Sequence, residues 1–126
     1  MKKILLDTNF LVAPFQLNIA LFEELERLYP YAKIYTIDDA VQEAKSIKGG
    51  KYGDMVVKLL KTEDVEILET TGEGTVDDLL VNLSDDFVIA TNDQELRERL
   101  LEKNAEIIII RTKDHLKVKN REGILE

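Results

Sequence analysis

The chain has no cysteine and no tryptophan, a single histidine and only two prolines in 126 residues. Without cysteine there is no disulfide framework, no thiolate metal site and no cysteine nucleophile. A zinc centre, which draws on cysteine and histidine, has only His115 to work with. No apolar run approaches the length of a membrane span. Met1-Lys2-Lys3 starts basic, but the apolar run behind it stops at Asp7 with no small-residue cleavage site after it, so it does not read as a signal peptide. A cytoplasmic, soluble protein without a membrane partner is the expectation.

What is present is the composition of a globular domain: 44% apolar against 33% charged residues, with no internal repeat, linker or low-complexity segment. One domain over residues 1–126 is expected. The net charge of −8 argues at first sight against a nucleic-acid partner, since phosphate neutralisation dominates such binding. The distribution softens that objection. A basic C-terminal segment, 111–126, carries Arg111, Lys113, Lys117, Lys119 and Arg121, and Lys45, Lys48 and Lys51 surround a glycine loop. These cations are either solvated surface or partner contacts.

Periodicity alternates between short apolar runs and amphipathic stretches. Lys3–Leu6, Lys33–Ile37, Val65–Leu68, Phe87–Ala90 and Ile107–Ile110 read as strands, the last fully apolar. Helical spacing appears over Phe10–Leu28, interrupted near Pro14, then from Asp39 to Ile47, from the glycine loop to about Lys61, over Val76–Leu83 and over Gln94–Lys103. Thr36 with Asp39, and Thr75 with Asp78, are spaced as capping boxes. His115–Lys119 alternates as an edge strand or a tail. Strands alternating with helices in a chain this short give an α/β layer fold with a mostly parallel sheet, whose ligands collect beyond the carboxyl ends of the strands.

Acids stand at those strand-to-helix junctions: Asp7, Glu43, Asp77 and Asp93. Each has an ordinary alternative. First-turn acids complement the helix dipole, which suffices for Asp78 and competes for Asp77 and Asp93. Asp7 is harder to account for, because a carboxylate directly after an apolar strand is desolvated unless a partner or a metal satisfies it. Asp39 is either a neighbour of the site or solvated. A P-loop is unsupported, since Tyr52 follows Gly49-Gly50-Lys51 where Ser or Thr is needed. A dehalogenase-like phosphatase needs an Asp where Asn9 stands, and a receiver domain needs paired acids at the end of the first strand.

Taken jointly, Leu5-Leu6-Asp7-Thr8-Asn9-Phe10-Leu11, Ile37-Asp38-Asp39-Ala40-Val41-Gln42-Glu43, Val76-Asp77-Asp78-Leu79-Leu80-Val81 and Val88-Ile89-Ala90-Thr91-Asn92-Asp93-Gln94-Glu95-Leu96-Arg97 resemble the PIN-domain ribonuclease family over almost the whole chain. The close of the chain is most similar to its Fcf1/Utp23-like rRNA-processing branch and that branch's archaeal relatives. The resemblance implies a three-layer α/β/α sandwich around a five-stranded, mostly parallel sheet. It implies Asp7, Glu43, Asp77 and Asp93 as catalytic, metal-binding residues around Mg²⁺ or Mn²⁺, with Thr8, Asn9, Thr91 and Asn92 in support. It also implies endoribonuclease activity, in rRNA processing or as the toxin of a toxin–antitoxin pair; the rival is a silent scaffold binding RNA or a protein. Lys48, Lys51, Tyr52, Arg97 and Arg111 are candidate RNA contacts, with Arg97 and Arg99 alternatively paired to acids on their own helix. Further expected partners are single-stranded or structured rRNA, an antitoxin or ribosome-assembly protein, and a second copy of the chain docked through Leu17–Leu28 or Met55–Leu60.

Overall fold

A computed structural model describes residues 1–70, 74–112 and 114–126. Among the described residues seven strands form one sheet, in the spatial order Glu66–Leu68, Lys33–Ile37, Lys3–Leu6, Val88–Ala90, Ile107–Thr112, His115–Asn120, Gly123–Ile124. The expected five strands are all present and parallel: β1 (Lys3–Leu6), β2 (Lys33–Ile37), β3 (Glu66–Leu68), β4 (Val88–Ala90) and β5 (Ile107–Thr112). The strand count is higher than expected because β6 (His115–Asn120) and β7 (Gly123–Ile124) extend the sheet antiparallel. The alternation at His115–Lys119 is thus a strand, with Leu116 and Val118 buried and the lysines between them partly exposed.

β1 is the middle one of the five parallel strands, and its Ile4, Leu5 and Leu6 are fully buried, as a strand covered on both faces requires. The crossovers place the helices. The path from β1 through β2 to β3 runs one way across the sheet, and the path from β3 to β4 and β5 runs the other. Right-handed connections therefore lay α1 (Thr8–Gln16), α2 (Leu21–Leu28), α3 (Asp38–Ser46) and α4 (Gly53–Thr62) on one face, with α5 (Val76–Leu83) and α6 (Gln94–Glu102) on the opposite face. Contacts of α1 with α3, α3 with α4, and α5 with α6 agree with these layers.

The helical stretch expected from Phe10 breaks later than Pro14. That proline sits inside α1, and the chain turns at Asn18, whose φ of 56° is a left-handed conformation that asparagine tolerates. Thr75 and Asp78 form the expected capping box on α5. Thr36 does not cap α3. It is held extended in β2 by pairing with Leu6, fully buried, and its hydroxyl donates to the Leu6 carbonyl at 2.8 Å. Strand pairing on both sides outweighs the local capping preference.

Tyr52, expected to stack on a base, is packed inside. It is only 5% exposed and stacks on Phe15 with centroids 6.2 Å apart, so its ring belongs to the core and has no face left for a nucleobase. The Lys51 ammonium lies 5.6 Å from the same ring. Tyr52→Ala is expected to cost about 3 kcal/mol in urea unfolding, as truncation of a packed aromatic does, whereas Tyr52→Phe stays near wild type. A loss within 0.5 kcal/mol, the ordinary range for surface changes, is the result that would contradict this placement.

Candidate functional site

Asp7 ends β1 at the carboxyl edge of the sheet. Its N–H donates to the Ala90 carbonyl at 3.0 Å, continuing the β1–β4 ladder, and the residue is 4% exposed. The side chain caps α1. One oxygen accepts from the Thr8 N–H at 2.7 Å and the other from the Thr91 hydroxyl at 2.6 Å. Burial pushes the carboxyl above its ordinary range, the two hydrogen bonds pull it back, and the charges of Asp77 and Asp93 push it up again.

Two threonines join Asp7 to other acids. The Thr8 hydroxyl donates to Glu43 at 3.0 Å, so the exposed Glu43, on the sixth residue of α3, is drawn to the edge by a residue 35 positions earlier. Thr91, fully buried after β4, donates to Asp7 while its oxygen accepts the Asp93 N–H at 3.1 Å. Asp93 in turn caps α6, one oxygen accepting from the Leu96 N–H at 2.9 Å. Asp77 lies in the first turn of α5 and is partly buried. Burial raises its carboxyl first. Asp93, Glu43 and Glu95 raise it further, against an opposing pull from Arg99. Repulsion of this kind fades beyond a Debye length of about 10 Å, so Asp77 shares the edge with these acids. Asp78, one residue on, turns away to the Thr75 cap and to Arg99 at 2.9 Å.

The four acids are neighbours, not a closed cage. Among the described residues no three His, Asp or Glu side chains form a group that could hold a metal ion as they stand. The donor chemistry nevertheless suits a hard cation. Every donor is a carboxylate or hydroxyl oxygen, and Asp7 and Asp77 both gain from neutralisation of the charges around them. Mg²⁺ keeps several waters and needs only one or two carboxylates together with substrate phosphate, so an open set fits it.

The supporting residues divide. Thr8 and Thr91 touch the acids directly. Asn9 is exposed on α1. Asn92 instead clips the end of β5, accepting from the Ile110 N–H at 2.8 Å and donating to the Ile110 carbonyl at 3.4 Å. Sequence reading missed Asp38. Its carboxylate accepts from the Thr70 hydroxyl at 2.7 Å and the Thr70 N–H at 3.2 Å, bonds that hold it below the usual range. Asp39 accepts from the same hydroxyl at 3.3 Å, so it is a partly buried partner of Thr70 instead of a solvated acid. An acidic pair directly after a strand was the available signal.

Among the basic candidates, Lys48, Lys51 and Arg111 are exposed. None of them, nor Arg97, forms an ion pair among the described residues. The same-helix pairing considered for Arg97 and Arg99 is not what forms. Arg99 crosses to Asp78 on α5, and the Arg97 Nε is buried without a hydrogen-bond partner.

Comparison with known proteins agrees with the fold. "Ribonuclease VapC4" of Methanocaldococcus jannaschii is 27% identical, with 94% of this chain and 97% of the relative aligned. The solved structure of the PIN domain endonuclease Utp24 superposes with a TM-score of 0.78 at 27% identity, covering 94% of this chain and 91% of that one. A domain of functionally unknown protein from Methanocaldococcus jannaschii shares the fold at TM-score 0.61 and 14% identity, over 89% of this chain and 93% of its own. The family model described as "PIN like domain" matches residues 4–113, and with that span the chain belongs to the PIN-like domain family.

Proposed function

We propose that the chain is an endoribonuclease hydrolysing RNA phosphodiester bonds with Mg²⁺ or Mn²⁺. The observation that carries this reading is the relay Glu43–Thr8–Asp7–Thr91–Asp93, in which two threonines join three acids from separate segments at the ligand-binding edge of the sheet. The relatives' own activities, a ribonuclease and an endonuclease, support the same class. A silent scaffold is the weaker reading, because it has no use for a buried carboxylate beside others of like charge.

Asp7, Glu43, Asp77 and Asp93 would hold the ion. When bound, such an ion supplies an activated water and stabilises charge on the leaving oxygen. The chain's own residues do the positioning. Thr91 fixes the Asp7 carboxylate through one oxygen, and the Thr8 N–H fixes the other. Asp93 is held beside them by capping α6, its carboxylate accepting from the Leu96 N–H. Thr8 orients Glu43, which as an exposed side chain on α3 has otherwise no fixed direction.

Labelled RNA incubated with the purified protein in Mn²⁺ is expected to be cut, with cutting abolished by chelator and by Asp93→Asn. Cutting that survives Asp93→Asn, or binding with no cutting in Mn²⁺, would overturn the proposal. Thr91→Val keeps the buried shape but removes the hydroxyl that serves Asp7 and Asp93. It is expected to lower activity or metal affinity about 10–100-fold, the usual effect of losing a residue that orients a ligand.

Asp77 has its carboxyl raised in the folded state, so its contribution to stability is present below the ordinary carboxylate range and is lost as pH rises through the raised value. In chelator at neutral pH, Asp77→Asn should therefore melt above wild type, and the gap should close in acid. Saturating Mn²⁺ reverses the order, since an ion at 100 times its Kd stabilises the wild type by about 2.7 kcal/mol. Wild type and variant responding identically to Mn²⁺ in calorimetry would remove Asp77 from the site.

A further inference from the structure

The end of β5 is irregular. Ile110 pairs with Leu116 and Thr112 with His115, so Arg111 is the extra residue of a bulge, unpaired in the ladder. Bulges beside functional sites re-aim a side chain. This one is anchored, because Asn92 holds both polar groups of the Ile110 backbone immediately before it. Asn92 is also the neighbour of Asp93, so Arg111 is fastened to the acid-bearing loop.

A file of cations continues from it. Lys117 pairs with Ile109 and Lys119 with Ile107, which places both lysines on the sheet face of those isoleucines. Leu116 and Val118 point to the other face, where α2 contacts β6. The lysines therefore share the face of α6. On that helix Leu96 and Leu100 enter the core, while Arg99 and Lys103 turn to α5, bonding Asp78 and the Val81 carbonyl. At 100° per residue, Arg97 and Leu101 fall on the opposite flank, over β5 and toward β6. The unpartnered Nε of Arg97 is buried there. Two acids of these elements are already engaged, Asp114 by His115 and Thr112, and Glu98 by Gln94.

We propose that Arg111, Arg97, Lys117 and Lys119 line a track between α6 and β6 that holds the phosphate backbone of a single RNA strand running to the acidic site. The inference rests on the nuclease reading for its end point. Lys117 and Lys119 stand about 6.6 Å apart along the strand, close to the step between successive phosphates of an extended chain. A file one side chain wide follows one backbone, not two. Arg111 is the first contact outside the acids, and Asn92 is its positioning residue.

Binding of a short labelled single-stranded RNA is measured by anisotropy in Mn²⁺ across a salt series, in an Asp93→Asn background that does not cut. Removing one phosphate contact from a single-strand complex lowers the slope of log K against log salt by about 0.7. Arg111→Gln is expected to lose about that much, and the triple variant Arg111→Gln/Lys117→Gln/Lys119→Gln about 2. Lys58→Gln/Lys61→Gln on α4 serves as the control and keeps the slope. In the cutting-competent chain the strip variants are expected to raise KM more than they lower kcat. An unchanged slope in a triple variant that melts normally overturns the track, and so does duplex RNA showing the same losses. If the triple variant does not fold, the exposed Arg111→Gln decides alone. A wild type that cuts nothing, yet loses binding through these variants, retires the nuclease reading and keeps the track. Normal KM in an active triple variant does the reverse.

Discussion

The structure depends on a charge placed where the interior ends. Asp7 closes a strand whose three preceding residues have no exposure at all, and its own backbone still belongs to the β1–β4 ladder. Leaving such a carboxylate unpaired costs several kcal/mol, so its surroundings are organised to offset that cost. The Thr8 N–H and the Thr91 hydroxyl take one oxygen each. What they leave uncompensated shows in the raised carboxyl, and that residue of unfavourable charge is what a cation or a proton can relieve.

The edge around Asp7 is tied by short polar links that cross between segments. Thr36 bonds Leu6 across β1 and β2, Asp38 bonds Thr70 beyond β3, Thr91 bonds Asp7 across β4 and β1, and Asn92 bonds Ile110 across β4 and β5. Each link begins at the carboxyl end of one strand and ends at the carboxyl end of a neighbour or the loop after it. Loops at the end of a sheet are ordinarily its most mobile part. Links of this kind hold them in register, which a site assembled from four separate segments requires if its oxygens are to stay within reach of one another.

The elements legible in the sequence are those decided locally. The apolar runs at Lys3–Leu6 and Lys33–Ile37 became strands with those bounds, and Thr75 with Asp78 capped α5, because burial and capping there act in the same direction. Thr36 and Tyr52 depart from their local pattern for one reason: both look polar or half-polar in isolation, and both are claimed by neighbours distant in the chain. The links of Thr8 to Glu43 and of Asn92 to Ile110 span 35 and 18 positions, so no local pattern announces them. Arg99 chose Asp78 over acids on its own helix because α5 and α6 pack side by side, a fact of topology and not of spacing.

Segregation of charge answers the objection raised by the net −8. A polyanion is repelled by the average field, but at the Debye length of about 8 Å in physiological salt it senses mainly the charges it touches. The acids concentrate at the strand ends, where α1, α5 and α6 begin, and the cations of β5, β6 and α6 form a separate file leading to them. A divalent ion held by the acids, as proposed, would neutralise the first group without touching the second. The local sign then becomes favourable along the whole path, so affinity for RNA and for the ion should rise together, each lowering the electrostatic cost of the other. On the proposed reading, the repulsion among these carboxylates is the differential by which a liganded state would be preferred over an empty one.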